Sequence, residues 1–558
     1  VGPNPVRPRP LAVLALVAAL VFAGGDLAGQ QPTRTFTHAD TLRGTLGPAR
    51  DWWDVTFYDL HVRVSVEDRS ISGWNGITYR VTKPGDLLQI DLQEPLVVDS
   101  IVSDGAVLPW RRDGNAFFAT LPAEQRTGET HTVTVHYHGV PTVAVRPPWD
   151  GGFVWTRDDA GQPWVSTANQ GLGASVWWPN KDHPSEEPDS QRIAITVPTP
   201  MVDVSNGRLR STTVNDDGTT TFEWFATSPI NNYGISVNAG DYAHWEETYQ
   251  GEDGPLTMDF WPLAVNEADA RRQWTQARDM MRCFEHWFGP YPFYEDGYKL
   301  VQAPYLGMEH QTAVTYGNGF RNGYLGMDLS GTGRGLTWDY IIVHESAHEW
   351  FANNITAADD ADMWVHEGFA MYAEGLFVEC QTGSKEAGAE YVIGVRDRIS
   401  NDRPVQGVFG VNYPGSSDMY DKGANMLHTI RQLVDDDERW RQVLRGLNRE
   451  FRWQTVTGAQ VEDYIAEASG VDLAAVFDEY LRTTMIPTLE YRLEDGVLSF
   501  RWTEVVPGFA MPVRAALGRG VLEWIHPTEE WQTVQTALGS ADDFRVDENF
   551  YVRAREVR

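Results

Sequence analysis

The chain has 558 residues, 42% of them hydrophobic, with 22 tryptophans and a formal net charge of −33 at neutral pH. That length is too great for one core and predicts two to four domains, while the acidic balance argues against nucleic acid or an anionic membrane as partner. With two cysteines, Cys283 and Cys380, a disulfide framework is excluded; one disulfide is a possible reading and two buried free thiols the simpler one.

Residues 1–30 read as a secretory leader: Arg7 and Arg9 precede an apolar run over 11–23 that ends in small residues. The run is shorter than the ~20 residues a spanning helix needs, an uncleaved anchor being the alternative. No cysteine follows it, so lipoprotein attachment is not expected. The expectation is a secreted or periplasmic protein with no stable membrane insertion after cleavage. Over 31–246 the pattern is β. Leu60, Val62 and Val64 alternate with polar residues, as do Ile77, Tyr79 and Val81, then Val133, Val135 and Tyr137. A polar connection over 246–255 leads into a helical segment, 264–288, whose Trp274, Ala277, Met281, Phe284 and Phe288 fall at spacings of three and four. Residues 298–304 read as a strand ending just before Glu309, and the glycine-rich run 317–335 as a surface loop beside the site.

Chemistry concentrates between Thr337 and Glu374. A helix over 339–351, with Thr337 as N-cap, puts His344 and His348 one turn apart on one face. Two imidazoles at that spacing share a zinc ion, and Glu345 beside the first is placed as general base. Glu367 follows His348 after eighteen residues. A carboxylate there completes three ligands and leaves a fourth position open, the catalytic kind of zinc site. Glu374 falls on the same helical face as Glu367 and is placed to accept the second N–H of a ligand histidine. His366 points to another side of the helix and is not expected to bind metal. The clusters Asp359-Asp360 and Asp435-Asp436-Asp437 read as solvated surface. Helical patterns continue over 391–400, 424–433, 440–451 and 461–469. After Pro487 the period returns to two, and 488–558 read as a small β-sandwich. The predicted fold is multidomain α+β: an N-terminal all-β domain over 31–246, a catalytic domain over 247–487 and the sandwich over 488–558.

At these residues the sequence resembles the aminopeptidase N and leukotriene hydrolase family of zinc peptidases. Leu306-Gly307-Met308-Glu309-His310 is similar to the family's Gly-Ala-Met-Glu-Asn exopeptidase motif, from which it departs at Leu306, Gly307 and His310. Glu367-Gly368-Phe369-Ala370 with Glu374 is similar to the segment carrying the third ligand. Met419-Tyr420-Asp421-Lys422-Gly423-Ala424 resembles the stretch carrying the catalytic tyrosine. The resemblance implies a saddle-shaped N-terminal domain, a thermolysin-like catalytic domain and one zinc per chain on His344, His348 and Glu367. It also implies Glu345 as general base and Tyr420 as donor to the oxyanion. Glu309, with Gly307 and Met308, would bind the substrate's free α-ammonium. Gln170, in a glycine-rich stretch that also resembles the family, would stand beside that amine; a plain turn residue is the alternative. The implied substrates are peptides with a free N-terminus, cleaved at the first peptide bond. An epoxide hydrolase on the same site and an inactive binding homologue are the alternatives. Many members carry a large helical C-terminal domain for which no sequence is seen here. A short form of this kind is expected to have an open cleft or one covered in a homodimer.

Overall fold

The structure, a computed structural model, describes residues 35–557, so the expected leader over 1–30 lies outside the described residues. The N-terminal alternation becomes sheet. Trp53–Ser65, Ser70–Val81 and Thr130–Gly139 lie side by side in an eight-stranded sheet, and Leu60, Val62, Ile77, Tyr79, Val133 and Val135 face its core. Trp53–Ser65 also pairs in parallel with Ser190–Pro198. A second sheet runs in the order Val202–Val204, Asn238–Gly240, Pro163–Ala168, Gly152–Arg157. Gln170 stands just past the end of Pro163–Ala168, and the 3-10 turn Asn232–Gly234 just before Asn238–Gly240. That sheet therefore delivers two otherwise distant segments to the same place.

A five-stranded sheet opens the next region, in the order Trp245–Gly251, Gly254–Trp261, Tyr298–Gln302, Val314–Tyr316, Gly307–Met308. The expected polar connection over 246–255 is instead part of a β-hairpin. Its inward positions Tyr249, Leu256 and Met258 are apolar and buried, and the polar residues between them masked that alternation. The expected helix over 264–288 is two helices, Glu267–Gln273 and Gln276–Phe288. Thr275 breaks it: its hydroxyl donates to the carbonyl of Arg272 at 3.0 Å and closes the first helix. Helices follow at Trp364–Thr382, Lys385–Gly394, Asp421–Val434, Asp437–Glu450 and Gly458–Ser469. A further one at Ala474–Arg482, not anticipated from the sequence, has the apolar Leu473 at its N-cap position, which makes no capping bond. The C-terminal strands form a four-stranded and a three-stranded sheet. Their inward residues Leu489, Trp502 and Val513 belong to the same apolar core as the helices.

The helices Gln276–Phe288 and Trp364–Thr382 pack together and carry Cys283 and Cys380, which form a disulfide across a Cα–Cα distance of 5.9 Å. This corrects the expectation of two free thiols. Partners 97 residues apart meet only because two helices pack. Among the described residues no helix is long and apolar enough to cross a membrane.

Candidate active site

The helix bearing the first two ligands is shorter than its spacing predicts. It runs Tyr340–Ala347 and is capped by Asp339, whose carboxylate accepts from the Ile341 N–H at 3.2 Å. Thr337, expected as the cap, instead bonds the Arg334 carbonyl and Gln381. Asp339 takes the role because Tyr316, Gln273 and Asn318 fix its buried carboxylate in place. After His348 the chain widens into a π turn over Glu349–Asn353, with non-helical backbone at Phe351 and Ala352. The helix thus stops short of the expected Phe351, and the Phe351 carbonyl is released to accept from His348 Nδ1 at 3.0 Å. His344 Nδ1 donates to Glu374 Oε1 at 2.7 Å, and the Tyr391 hydroxyl donates to Glu374 Oε2 at 2.5 Å. Each histidine is so turned with Nε2 toward the cleft.

Glu367 enters from the first turn of Trp364–Thr382. Its Oε2 lies 3.6 Å from His344 Nε2 and 3.4 Å from His348 Nε2, and the three ligand atoms all fall within 4.8 Å of one another. Two glycines bring a further helix against this cluster. A Cβ on Gly423 would stand 2.9 Å from the Gly368 Cα, and one on Gly368 would stand 3.2 Å from the Met419 carbonyl. The helices Trp364–Thr382 and Asp421–Val434 therefore cross backbone to backbone, which brings Tyr420, at the N-cap of the second, over the ligands. Its ring stacks on His344 at a centroid distance of 6.1 Å.

This donor set fits a zinc ion. Glu367 Oε2 is buried and accepts no hydrogen bond, although two imidazole nitrogens face it. Burial opposes charge on His348, but the Glu367 carboxylate outweighs it and pushes that imidazole up to about 9. His344 is likewise raised well above the ordinary range, against its burial, by Glu367 and Glu374. The cluster carries an excess of negative charge that a dication neutralises. Glu345 is buried beside it; burial first, then Glu309 against the pull of His344, raise its carboxyl to about 7. Burial, and then the carboxylates of Glu367, Glu309 and Glu345, push the Tyr420 phenol up, so it keeps its proton.

Glu309 lines the same cavity of about 600 Å³. Its Oε1 accepts from Gln170 Nε2 at 2.7 Å and from the Tyr233 hydroxyl at 3.1 Å. None of the described residues hydrogen-bonds its Oε2. Asn353, released from the helix by the π turn, donates to the Glu309 carbonyl at 2.8 Å. Gly307 lies against Glu345: a Cβ there would stand 2.8 Å from Ile341 and 3.0 Å from Glu345 Oε1. Met308 is buried and lines the cleft. Every residue singled out from the sequence for the site is thus brought into one cavity or directly behind it. Tyr233, Asn353 and Tyr391 were missed, and none lies in a motif or at a regular spacing that would have marked it.

His366 Nε2 accepts from the Ala357 N–H at 2.8 Å, away from the metal position. His310 is fully buried with no hydrogen-bond partner among the described residues for either nitrogen, and burial lowers it to about 3. Asp359 and Asp360 are not free surface. Asp359 caps a turn and accepts from the Gly410 N–H, and Asp360 is raised to about 6, first by burial. Asp435, Asp436 and Asp437 are exposed. The glycine-rich run 317–335 is more than surface, because its Tyr324, Met327 and Leu329 wall the cleft.

Comparison with known proteins agrees with this geometry. The Peptidase family M1 domain matches residues 274–480 and the Peptidase M1 N-terminal domain residues 55–233. Probable aminopeptidase 1 of Sulfurisphaera tokodaii is 24% identical over 51% of this chain and 37% of its own length. Aminopeptidase N of Lactobacillus helveticus is 23% identical over 79% of this chain and 52% of its own. The chain thus spans less than two thirds of the length of these curated relatives. The crystal structure of an M1 zinc metallopeptidase from Deinococcus radiodurans is similar at a TM-score of 0.65 and 23% identity, covering 79% of this chain and 95% of that one. A mutant of it bound to a Tyr-Ser-Ala substrate is similar to the same degree. With two successive domains of one family matched in order, and the three ligand residues in place for a zinc cofactor, the chain belongs to peptidase family M1.

Proposed function

We propose that the protein is a zinc-dependent aminopeptidase that hydrolyses the first peptide bond of peptides with a free N-terminus. The observation that carries this reading is Glu309: a buried carboxylate, held through one oxygen, in the cavity of the three-ligand cluster. His344, His348 and Glu367 would hold the ion. When bound, zinc supplies Lewis-acid chemistry that polarises the scissile carbonyl and acidifies water. Glu345 takes the proton of the attacking water and passes it to the leaving amine. Tyr420 donates its phenolic proton in a hydrogen bond to the developing oxyanion. Glu309 binds the α-ammonium through Oε2, and Gln170 and Tyr233 fix the carboxylate for it.

The deciding experiment compares alanyl peptides with free and acetylated amines, with and without a zinc chelator. Cleavage of the free-amine peptide alone, abolished by chelator and restored by zinc, is the expected outcome. Internal cleavage of the acetylated peptide would make the enzyme an endopeptidase and remove the role given to Glu309. The secreted or periplasmic location read from residues 1–30 is part of the same proposal. The Cys283–Cys380 disulfide supports it, because such bonds persist in oxidising compartments. Fractionation of the native host for the active enzyme tests it.

A further inference from the structure

The cleft is strongly acidic. Glu309, Glu345, Glu367, Asp418 and Asp421 all line it, and Arg398 is the one arginine or lysine among its described lining residues. Arg398 ends the 3-10 turn Val395–Arg398 and donates through Nε to Asp421 Oδ2 at 3.1 Å. That is a single bond from one edge of the guanidinium. The two Nη nitrogens form no hydrogen bond with the described residues, and the side chain is 47% exposed against 10% for Asp421. A guanidinium offering its Nη edge to a cavity is a carboxylate receptor by geometry.

Its place in the cleft says which carboxylate. Asp421 follows Tyr420 directly in the chain, and Arg398, Tyr420 and Asp421 line one cavity. Tyr324 lines the same cavity as Arg398 and Glu345, and its phenol feels both: burial raises it, Arg398 lowers it and Glu345 raises it. Gln170 and Tyr233 mark the amine end through their bonds to Glu309. With the ammonium fixed there, the part of the substrate beyond the scissile bond extends along the Tyr420 side. One or two extended residues cover about 3.5–7 Å.

We propose that Arg398 is a specificity residue that binds a substrate carboxylate on the leaving-group side of the scissile bond. The carboxylate is the C-terminus of a di- or tripeptide, or an Asp or Glu side chain within two residues of the cut. This rests on the aminopeptidase reading above and adds the substrate class to it.

The test measures kcat/KM of the full chain with zinc on four substrates: Ala-Ala-Ala, its C-terminal amide, Ala-Glu-Ala amide, and alanine 4-nitroanilide. The expected result is a preference of about tenfold or more for the free acid over the amide, the range of a charge-assisted hydrogen bond. Recovery in Ala-Glu-Ala amide would assign the contact to side chains as well; no recovery would assign it to the C-terminus. Arg398→Gln should bring the acid-to-amide ratio near one, and Arg398→Lys should keep part of it. A wild-type acid-to-amide ratio near one with no gain for Ala-Glu-Ala amide over Ala-Ala-Ala amide overturns the proposal, as does a carboxylate preference that survives in Arg398→Gln. If Arg398→Gln does not fold, the wild-type and Arg398→Lys ratios still decide. The nitroanilide carries no carboxylate, so its hydrolysis reports the aminopeptidase activity by itself. Its failure would sink the underlying reading, whereas turnover without a carboxylate preference would sink only this inference.

Discussion

On the metal side of the cleft, Glu374 lies 30 residues from the histidine it orients. On the amine side, Gln170 lies 139 residues from the Glu309 it supports, and Tyr233 lies 76. The first side is the two ligand helices and the turns that join them, with the helix Asp421–Val434 packed against the second through Gly368 and Gly423. The second is assembled from two β-rich segments, a short edge strand and the π turn after His348. One side is built by local periodicity and the other by the folding of the whole chain. They should therefore fail differently: damage to the metal side changes zinc content or turnover, and damage to the amine side changes substrate use while zinc stays.

The largest effects test the metal side. His348→Ala should lose most of the zinc, whereas Glu345→Gln should retain it and lose turnover by about 10²–10⁴-fold, as expected for a general base. Metal analysis beside kcat separates the two, and an active Glu345→Gln would remove the assigned base. Tyr420→Phe removes only a hydroxyl. It should lower kcat by ~10²-fold or more with little change in KM. Unchanged kcat with a lower unfolding temperature would make Tyr420 a packing residue for His344.

Smaller effects sharpen the contrast. Glu374→Gln weakens the acceptor for His344 and should reduce zinc affinity by about 10–100-fold, with activity recovered by added zinc. Tyr233→Phe deletes one of the two donors to Glu309. It should lower kcat/KM by about fivefold, one hydrogen bond's worth, and no amount of zinc should restore it. A zinc-rescued Tyr233→Phe would show that the two sides are not independent.

The same contrast explains what was legible in the sequence. His344, Glu345, His348, Glu367 and Glu374 sit at helical spacings, so their types and intervals announce both ligands and orienter. Gly368 and Gly423 could be quoted as parts of motifs, but their purpose, a backbone contact between helices, appears only when the helices are packed. The strands were readable wherever one face was apolar, and the hairpin over 245–261 was hidden by its acidic outward face. The π turn left no trace, because a ligand histidine at its start satisfies the helical spacing whether or not the helix continues. Tyr233 and Asn353 were invisible for a related reason. Each reaches Glu309 through a turn whose position depends on sheets or helices elsewhere.

The smallest change in turnover is expected at the disulfide, which bears on whether the metal side is as local as its spacing suggests. Cys380 sits near the end of Trp364–Thr382, and Glu367 in its first turn. They are thirteen helical positions apart, roughly 20 Å along the axis. The bond ties that far end to the helix Gln276–Phe288. Near the ligand end, contacts made without the disulfide hold the same helix: Gly368 against Gly423, and Glu374 bonded to both His344 and Tyr391. Reduction, or Cys380→Ser with Cys283→Ser, should therefore cost about 2–4 kcal/mol of stability, the usual worth of a cross-link. It should leave zinc content and kcat/KM within about twofold, because the contacts that hold the ligand end are made without the disulfide. Thermal unfolding with and without reductant, run beside zinc analysis and peptide turnover on the same samples, measures both. Loss of zinc at a temperature where the reduced protein is still folded would show that the helix transmits strain from Cys380 to Glu367. The metal side would then depend on packing as distant as that which builds the amine side.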